Sequence, residues 1–258
     1  AEEGAYFTQA FTPSPVCSPS RALLLTSRHS HELGITDWIH PRLEIGTGLD
    51  PDYVTWAEQL QAAGYQTGLV GKWHLGIPEK YHPTNHGYDY FMGFLSGGND
   101  PKDPTLEKNG ETREFEGFTQ NILTDHAIEF LERNQEQPFA LSMHYRAPHA
   151  PWLPMPEEDW APYRDLESPL LPDPDYPKLD TERANRVTRE YLASVESVDR
   201  NVGRLLDTLD ELGLAENTIV IFTSDHGYNL GHQGLMYKGN AHWLLTEYPP
   251  ETEYVPGY

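Results

Sequence analysis

One cysteine in 258 residues excludes an intrachain disulfide and leaves a lone thiol, Cys17, whose chemistry must be its own. Basic residues are scarce, 18 against 40 acidic ones, and the formal charge of -22 disfavours nucleic acid and anionic membranes as partners through long-range repulsion. A small anionic ligand stays compatible with this balance, because the field in a cleft is set by its nearest charges. No apolar run approaches the roughly 18 residues of a membrane span, and no basic, cleavable leader pattern opens the sequence. What is there suffices for one large domain: 38% hydrophobic and 12% aromatic residues can bury a substantial core. The opening AEEGAYFTQAF reads as the end of a helix running into an extended segment, which predicts that the natural protein begins earlier. The closing EYPPETEYVPGY reads as irregular and as stopping short of an element.

A helix–strand unit recurs three times. DPDYVTWAEQLQAAG spaces Tyr53, Trp56, Leu60 and Ala63 as a helix does, closes on Gly64, and leads into the strand YQTGLVGKW. FTQNILTDHAIEFLERN, residues 118–134, carries Ile122, Ile128 and Leu131 and leads into PFALSMHY. The stripe Tyr191, Val195, Val198, Val202, Leu205, Leu209, Leu212 predicts a long amphipathic helix before the strand NTIVIFTS. Such alternation predicts an α/β fold, a mostly parallel sheet covered by helices. Residues 97–117 and Pro154 to Glu182 read as loops near the mouth of a site.

Ligands of open parallel sheets bind beyond the carboxyl ends of the strands. Those ends here carry Lys72 and His74, then Arg146 and His149, then Asp225 and His226, with Lys238 and more histidines soon after. Singly, each has a bland reading: a structural histidine, a solvated lysine, Asp225 as a cap before Gly227, Cys17 as a buried thiol. His29 and His31 read as structural, and Trp38, Trp152 and Trp243 as pocket lining or core.

CSPSRALLLTS resembles the sulfatase signature C-x-P-S-R-x-x-x-[L/M]-T-G at Cys17, Pro19, Ser20, Arg21, Leu25 and Thr26, with Ser27 in the usual place of glycine. GYQTGLVGKWH resembles the second sulfatase signature at Gly64, Tyr65, Thr67, Gly71, Lys72 and His74. APHAPW at His149, SDHG at Asp225 and His226, and the Lys238 region are similar to further blocks of that family, so the resemblance runs through nearly the whole chain.

The resemblance implies an alkaline-phosphatase-like fold and hydrolysis of sulfate esters or sulfamates, through a formylglycine made from Cys17 by a maturation enzyme. One hydroxyl of the hydrated aldehyde attacks sulfur, and the other lets the sulfated residue release sulfate by elimination. A cysteine at a helix start suits this, since free N–H groups there favour an anion. Carried over by position, Arg21 orients the hydroxyls, His74 is the base that helps elimination, Lys72 and Lys238 clamp sulfate oxygens, and His149 protonates the leaving group. Asp225, His226 and the oxygen at position 17 are implied metal ligands, with calcium the family default; His226 stands where asparagine is frequent. The family also places two adjacent aspartates on a first strand ahead of the cysteine, and this chain has none there, which predicts a single catalytic domain, 1–258, lacking its first strand and the carboxyl-terminal subdomain. Such a piece is expected to bind metal poorly, fold marginally and show little activity. The implied partners are a sulfated small molecule or glycan and the maturation enzyme, and the implied compartments periplasm, lysosome or exterior. A phosphonate or phosphate ester hydrolase of the same superfamily and a non-catalytic glycan-binding protein are the alternatives.

Overall fold

Two of the three helix–strand units form as the periodicity predicts, and the third forms its helix without its strand. The computed structural model describes residues 4–167 and 175–239. Residues 4–16 hold no helix, and Tyr6, Phe7 and Phe11 stand exposed there; residues 1–3, ahead of Gly4, lie outside the described residues, and with them the helix end expected in the opening segment. The expectation for the closing dodecapeptide, and Trp243, lie outside the described residues.

Helix α1 (Cys17–Thr26) begins on the cysteine and ends where Ser27 turns left-handed at φ 56. Helix α2 (Trp56–Ala62) is shorter than its apolar pattern because Thr55 starts it: the Thr55 hydroxyl accepts the Glu58 N–H and the Glu58 carboxylate accepts the Thr55 N–H. Such reciprocal capping contributes about 1 kcal/mol and fixes the first turn, leaving Tyr53 outside. Strand β1 (Gln66–Lys72) follows, buried in all but its first residue. Next come β2 (Tyr90–Phe94), β3 (Thr105–Lys108) and β4 (Glu111–Glu114), then α3 (Thr119–Asn134) and β5 (Phe139–His144). Helices α4 (Glu157–Arg164) and α5 (Thr181–Glu211) precede a two-stranded hairpin, β6 (Asn229–Leu230) and β7 (Met236–Tyr237).

The main sheet runs β4-β3-β2-β1-β5. Its centre is parallel, β1 pairing with both β2 and β5, as the alternation of elements predicts. The antiparallel edge, β3 and β4, lies inside the stretch read from sequence as loop. Asn109-Gly110 makes the turn with both φ angles positive, 49 and 88, the hairpin geometry that this dipeptide favours. Helix α4 likewise lies within the predicted loop from Pro154 to Glu182, and α5 starts ten residues ahead of its apolar stripe.

Alternation along β1 places Leu69 in one core and Val70 in another. Leu69 packs with Ala22 and Leu25 of α1, Ile35, Ile39, Leu49 and Phe91; Val70 packs with Met92, Phe94 and the α3 residues Ile122, Leu123 and Ala127. A third cluster joins α5 through Ala184 and Val187 to Trp152 and to Met236 of the hairpin. Each fully buried aliphatic or aromatic side chain contributes about 1.5–3 kcal/mol, so the sheet is held from both faces. Asp159 of α4, 1% exposed, takes two bonds of 2.8 Å from the Arg200 guanidinium, fastening α4 to α5.

The predicted strand NTIVIFTS does not join the sheet. Ile219, Ile221 and Phe222 are 89%, 82% and 80% exposed. A strand apolar on both faces needs a hydrogen-bonded neighbour to cover it, and among the described residues no strand pairs with this segment, while β5 pairs only with β1. At the other end of β1, Gly71 has φ +118, and a Cβ there would sit 2.0 Å from the His144 carbonyl oxygen. Only glycine lets β1 approach β5 this closely, and the approach sets Lys72 beside His144.

Candidate active site

The Cys17 sulfur lies at the first position of α1 and is 2% exposed. Lys238 Nζ donates to it at 2.6 Å and Lys72 Nζ at 3.2 Å, and His226 Nε2 is 3.5 Å away. Burial pushes the Cys17 thiol up, but its polar contacts with His149, His226 and His74, together with the Lys72 charge, outweigh it and hold the group far below the ordinary thiol range. The pocket is therefore built to stabilise negative charge at position 17. Burial in turn pushes Lys72 down to about 8, against the attraction of Cys17.

Each of these groups arrives from the end of an element. Lys72 ends β1, and His74 follows it at φ 60, fully inside the protein. His74 Nε2–H donates to the Ile39 carbonyl at 3.1 Å, so Nδ1 carries the lone pair; it is buried and makes no hydrogen bond among the described residues. The ring fits because residue 97 is glycine: a Cβ there would lie 2.6 Å from the imidazole. His149 Nδ1–H donates to the Ala150 carbonyl at 2.6 Å, leaving Nε2 for the pocket. Arg146 buckles that loop, donating to the carbonyls of His149 and Pro151 at 2.7 and 2.6 Å, a positioning use rather than a place among the charged groups at the sulfur.

Arg21 is 6% exposed and ties α1 to the sheet. Its Nε donates to the Trp73 carbonyl at 2.8 Å, its Nη2 to the Lys72 carbonyl and to His144 Nδ1, and its Nη1 lies 3.9 Å from the Asp225 carboxylate. His144, which sequence reasoning did not single out, is pushed down to about 3 by burial and by Arg21, and so stays neutral as an acceptor. Its only sequence signal is its place at the end of β5. Ser20 was also passed over as a separate role; its hydroxyl donates to the Asp225 carbonyl and pins the loop to α1.

Cys17, Asp225 and His226 each offer a ligand atom, and these atoms lie within 4.8 Å of one another. His226 Nδ1–H donates to the Gly227 carbonyl at 2.8 Å, turning the Nε2 lone pair toward the sulfur, the orientation a metal-bound imidazole takes. The three fit a divalent cation as a partial shell. Asp225 is the one carboxylate in this group among the described residues, whereas calcium takes six to eight oxygens. His29 and His31 stack on each other with ring centroids 5.6 Å apart and are not part of this set.

The eight residues singled out from sequence thus converge on one place, and four of them, Cys17, His74, His149 and Lys238, line a cleft of about 1230 Å³. Trp38, 44% exposed, and the largely buried Trp152 line it, as do Ser96, Gly97 and Gly98. The protein-family model for sulfatases matches residues 1–255.

The chain belongs to the sulfatase family. An N-acetylglucosamine-6-O-sulfatase of Bacteroides thetaiotaomicron is 30% identical to it over 92% of this chain and 54% of its own length. Human N-acetylgalactosamine-6-sulfatase is 31% identical over 88% of the chain and 44% of its own length. A protein solved in complex with its substrate D-glucosamine-2-N,6-O-disulfate superposes with a TM-score of 0.74 at 27% identity, over 90% of this chain and 60% of that one. The chain therefore spans about half the length of these curated relatives. Its mixed sheet flanked by helices is that of the alkaline-phosphatase-like sulfatases.

Proposed function

We propose that this protein hydrolyses the sulfate monoester of a small sugar, with Cys17 converted to formylglycine. The observation that carries the proposal is the pair of ammonium groups, Lys72 and Lys238, on the sulfur of a helix-initial cysteine at 3.2 and 2.6 Å. Formylglycine supplies a hydrated aldehyde, one hydroxyl for attack on the ester and one for release of the product. The side chains of this chain do the rest. Lys72 and Lys238 hold the sulfate oxygens and offset the charge that builds there, in a site largely closed to water where such contacts are strong. His149 Nε2, when protonated, gives its proton to the sugar oxygen as the S–O bond breaks and the electron pair leaves with that oxygen. His74 Nδ1, held neutral by burial, takes up a proton at position 17 during release. Arg21 keeps Lys72 and the Asp225 loop in register with α1. Over the cycle one ester and one water become an alcohol, sulfate and a proton. The sugar assignment follows the relatives, whose names specify 6-sulfated amino sugars, and the aromatic lining given by Trp38 and Tyr228.

The proposal is tested with matched aryl sulfate and aryl phosphonate esters, after expression with a formylglycine-generating enzyme and mass spectrometry of the peptide holding Cys17. The expected result is an aldehyde at residue 17 and a kcat/KM at least about tenfold higher for the sulfate, a 1.4 kcal/mol preference. An unmodified thiol in active protein, or a preference for the phosphonate, would sink it.

Asp225, His226 and the position-17 oxygen would hold the divalent cation, for which we propose calcium; the cation supplies positive charge beside a sulfate oxygen. Calcium at about 100 times its dissociation constant is expected to add about 2.7 kcal/mol of stability, and Asp225→Asn is expected to remove most of that gain. An equal calcium-dependent rise in melting temperature in both proteins would count against this ligand set.

A further inference from the structure

Residues 36–38 are a short exposed stretch staked at both ends. Ile35 and Ile39, 2% and 5% exposed, pack in the same core cluster as Ala22 and Leu25 of α1. The Ile39 N–H donates at 3.0 Å to the hydroxyl of Ser18, a buried residue directly after Cys17, and the Ile39 carbonyl accepts the His74 Nε2–H. Asp37 accepts the Trp38 N–H on its own carboxylate at 2.7 Å. A backbone fixed to the helix of the nucleophile on one side and to the base on the other has little freedom left to lose on binding. Thr36, Asp37 and Trp38, the three residues held this way, all line the cleft.

Trp38 is the one tryptophan among the described residues that stands exposed, at 44%. Its ring centroid lies 6.5 Å from that of His74 and 4.9 Å from that of His40, tilted by 54° and 53°, so neither imidazole is stacked on the indole face. Tyr228, the aromatic ring beside His149, differs: Tyr191 is stacked on it at 5.9 Å, and Trp152 and Tyr237 pack edgewise against it at 6.1 and 5.9 Å. Next to the His74 imidazole the cleft is lined by Gly97 and Gly98, and a Cβ on Gly98 would meet nothing within 4 Å. The ground beside the base therefore combines one large apolar face with open space. An indole face left in water gains free energy when a ligand covers it.

We infer that Trp38 is the platform on which the sugar ring bearing the scissile sulfate stacks, and is thereby a specificity-determining residue. The inference rests on the reading of the cleft as a sulfated-sugar site and deepens it: the substrate class becomes closed pyranose rings with an unobstructed C–H face. The hydrogens of that face carry partial positive charge and are attracted to the negative face of the indole, while apolar area on both sides leaves water. An open-chain polyol sulfate offers the same ester and the same hydroxyl groups but no such face.

The test uses the full chain with Cys17→Ala, so that no ligand is consumed. It is titrated calorimetrically with N-acetylglucosamine 6-sulfate and with the open-chain alditol made from that sugar by borohydride reduction. The closed ring is expected to bind about tenfold more tightly than the alditol, the order of an aromatic contact. With Trp38→Ala added, that advantage is expected to fall below about twofold while the affinity for the alditol changes by less than about twofold; with Trp38→Phe it is expected to stay above about threefold. Equal affinities for ring and alditol, no binding of the ring, an advantage that survives in Trp38→Ala, or an equal loss for both ligands overturns the platform. A phenylalanine variant no better than the alanine one overturns it as well. Release of sulfate from 4-nitrophenyl sulfate by the matured, unsubstituted chain is scored separately. Turnover without a ring advantage defeats the platform alone; a ring advantage that Trp38→Ala abolishes, without turnover, defeats the hydrolase reading alone.

Discussion

Replacing Cys17 with alanine is expected to lower kcat on 4-nitrophenyl sulfate by at least about 10⁴-fold while leaving the fold intact. Loss of a nucleophile-bearing residue costs this much or more where the remaining groups can only bind and polarise the ester, and a factor of 10⁴ corresponds to about 5.5 kcal/mol of transition-state stabilisation. The small residual rate would come from Lys72, Lys238 and His149, which stay in place. The fold should tolerate the change, because the thiol sits among ammonium and imidazole groups and fills none of the three apolar clusters. Steady-state kinetics with a circular dichroism melt on the same sample checks both halves. A variant within about tenfold of the parent would mean that position 17 does not carry the reaction.

Arg21→Leu is expected to cost about 3–5 kcal/mol of stability and about 10 °C in melting temperature. The substitution leaves the carbonyls of Lys72 and Trp73 and the His144 ring without their donor, and it leaves Asp225 without its cation, all at the junction of α1 with β1. Arg21→Lys should recover little, since an ammonium cannot reach two carbonyls and an imidazole at once from a planar fork. Thermal unfolding of both variants decides the matter. A loss under about 2 °C, or full recovery by lysine, would show that Arg21 is not the strut that its geometry describes.

The parts of this molecule that were legible in its sequence are those whose cause is local. Gly64 ends α2 at φ +91, the apolar spacing of residues 119–134 makes α3, and the motif residues Cys17, Lys72, His74, His149, Asp225, His226 and Lys238 meet at the start of α1, the ends of β1 and β5, the loop before β6 and the end of the hairpin. What was not legible depends on partners distant in the chain. NTIVIFTS has every local mark of a strand, yet strand formation needs a neighbour, and no property of residues 217–224 themselves reports whether one is present. Helix α4 and the β3–β4 hairpin were hidden for another reason: their residues are polar on most faces, so hydrophobic periodicity is silent, although Asn109-Gly110 was a turn signal that could have been read. Arg21 was expected to orient groups at position 17, but most of its hydrogen bonds go to backbone carbonyls, which carry no sequence signature.

The sulfur of Cys17 is gripped by a lysine 221 positions later in the chain. That separation dictates an order of events in the life of the polypeptide. A thiol that is 2% exposed, with Lys238 and Lys72 donating to it at the inner wall of the cleft, presents almost no surface to a second protein. On the proposed conversion of Cys17, a catalyst that rewrites this side chain is expected to work in the interval before the hairpin carrying Lys238 closes over it. Slower closure of that hairpin would widen the interval and raise the fraction of molecules carrying the altered residue.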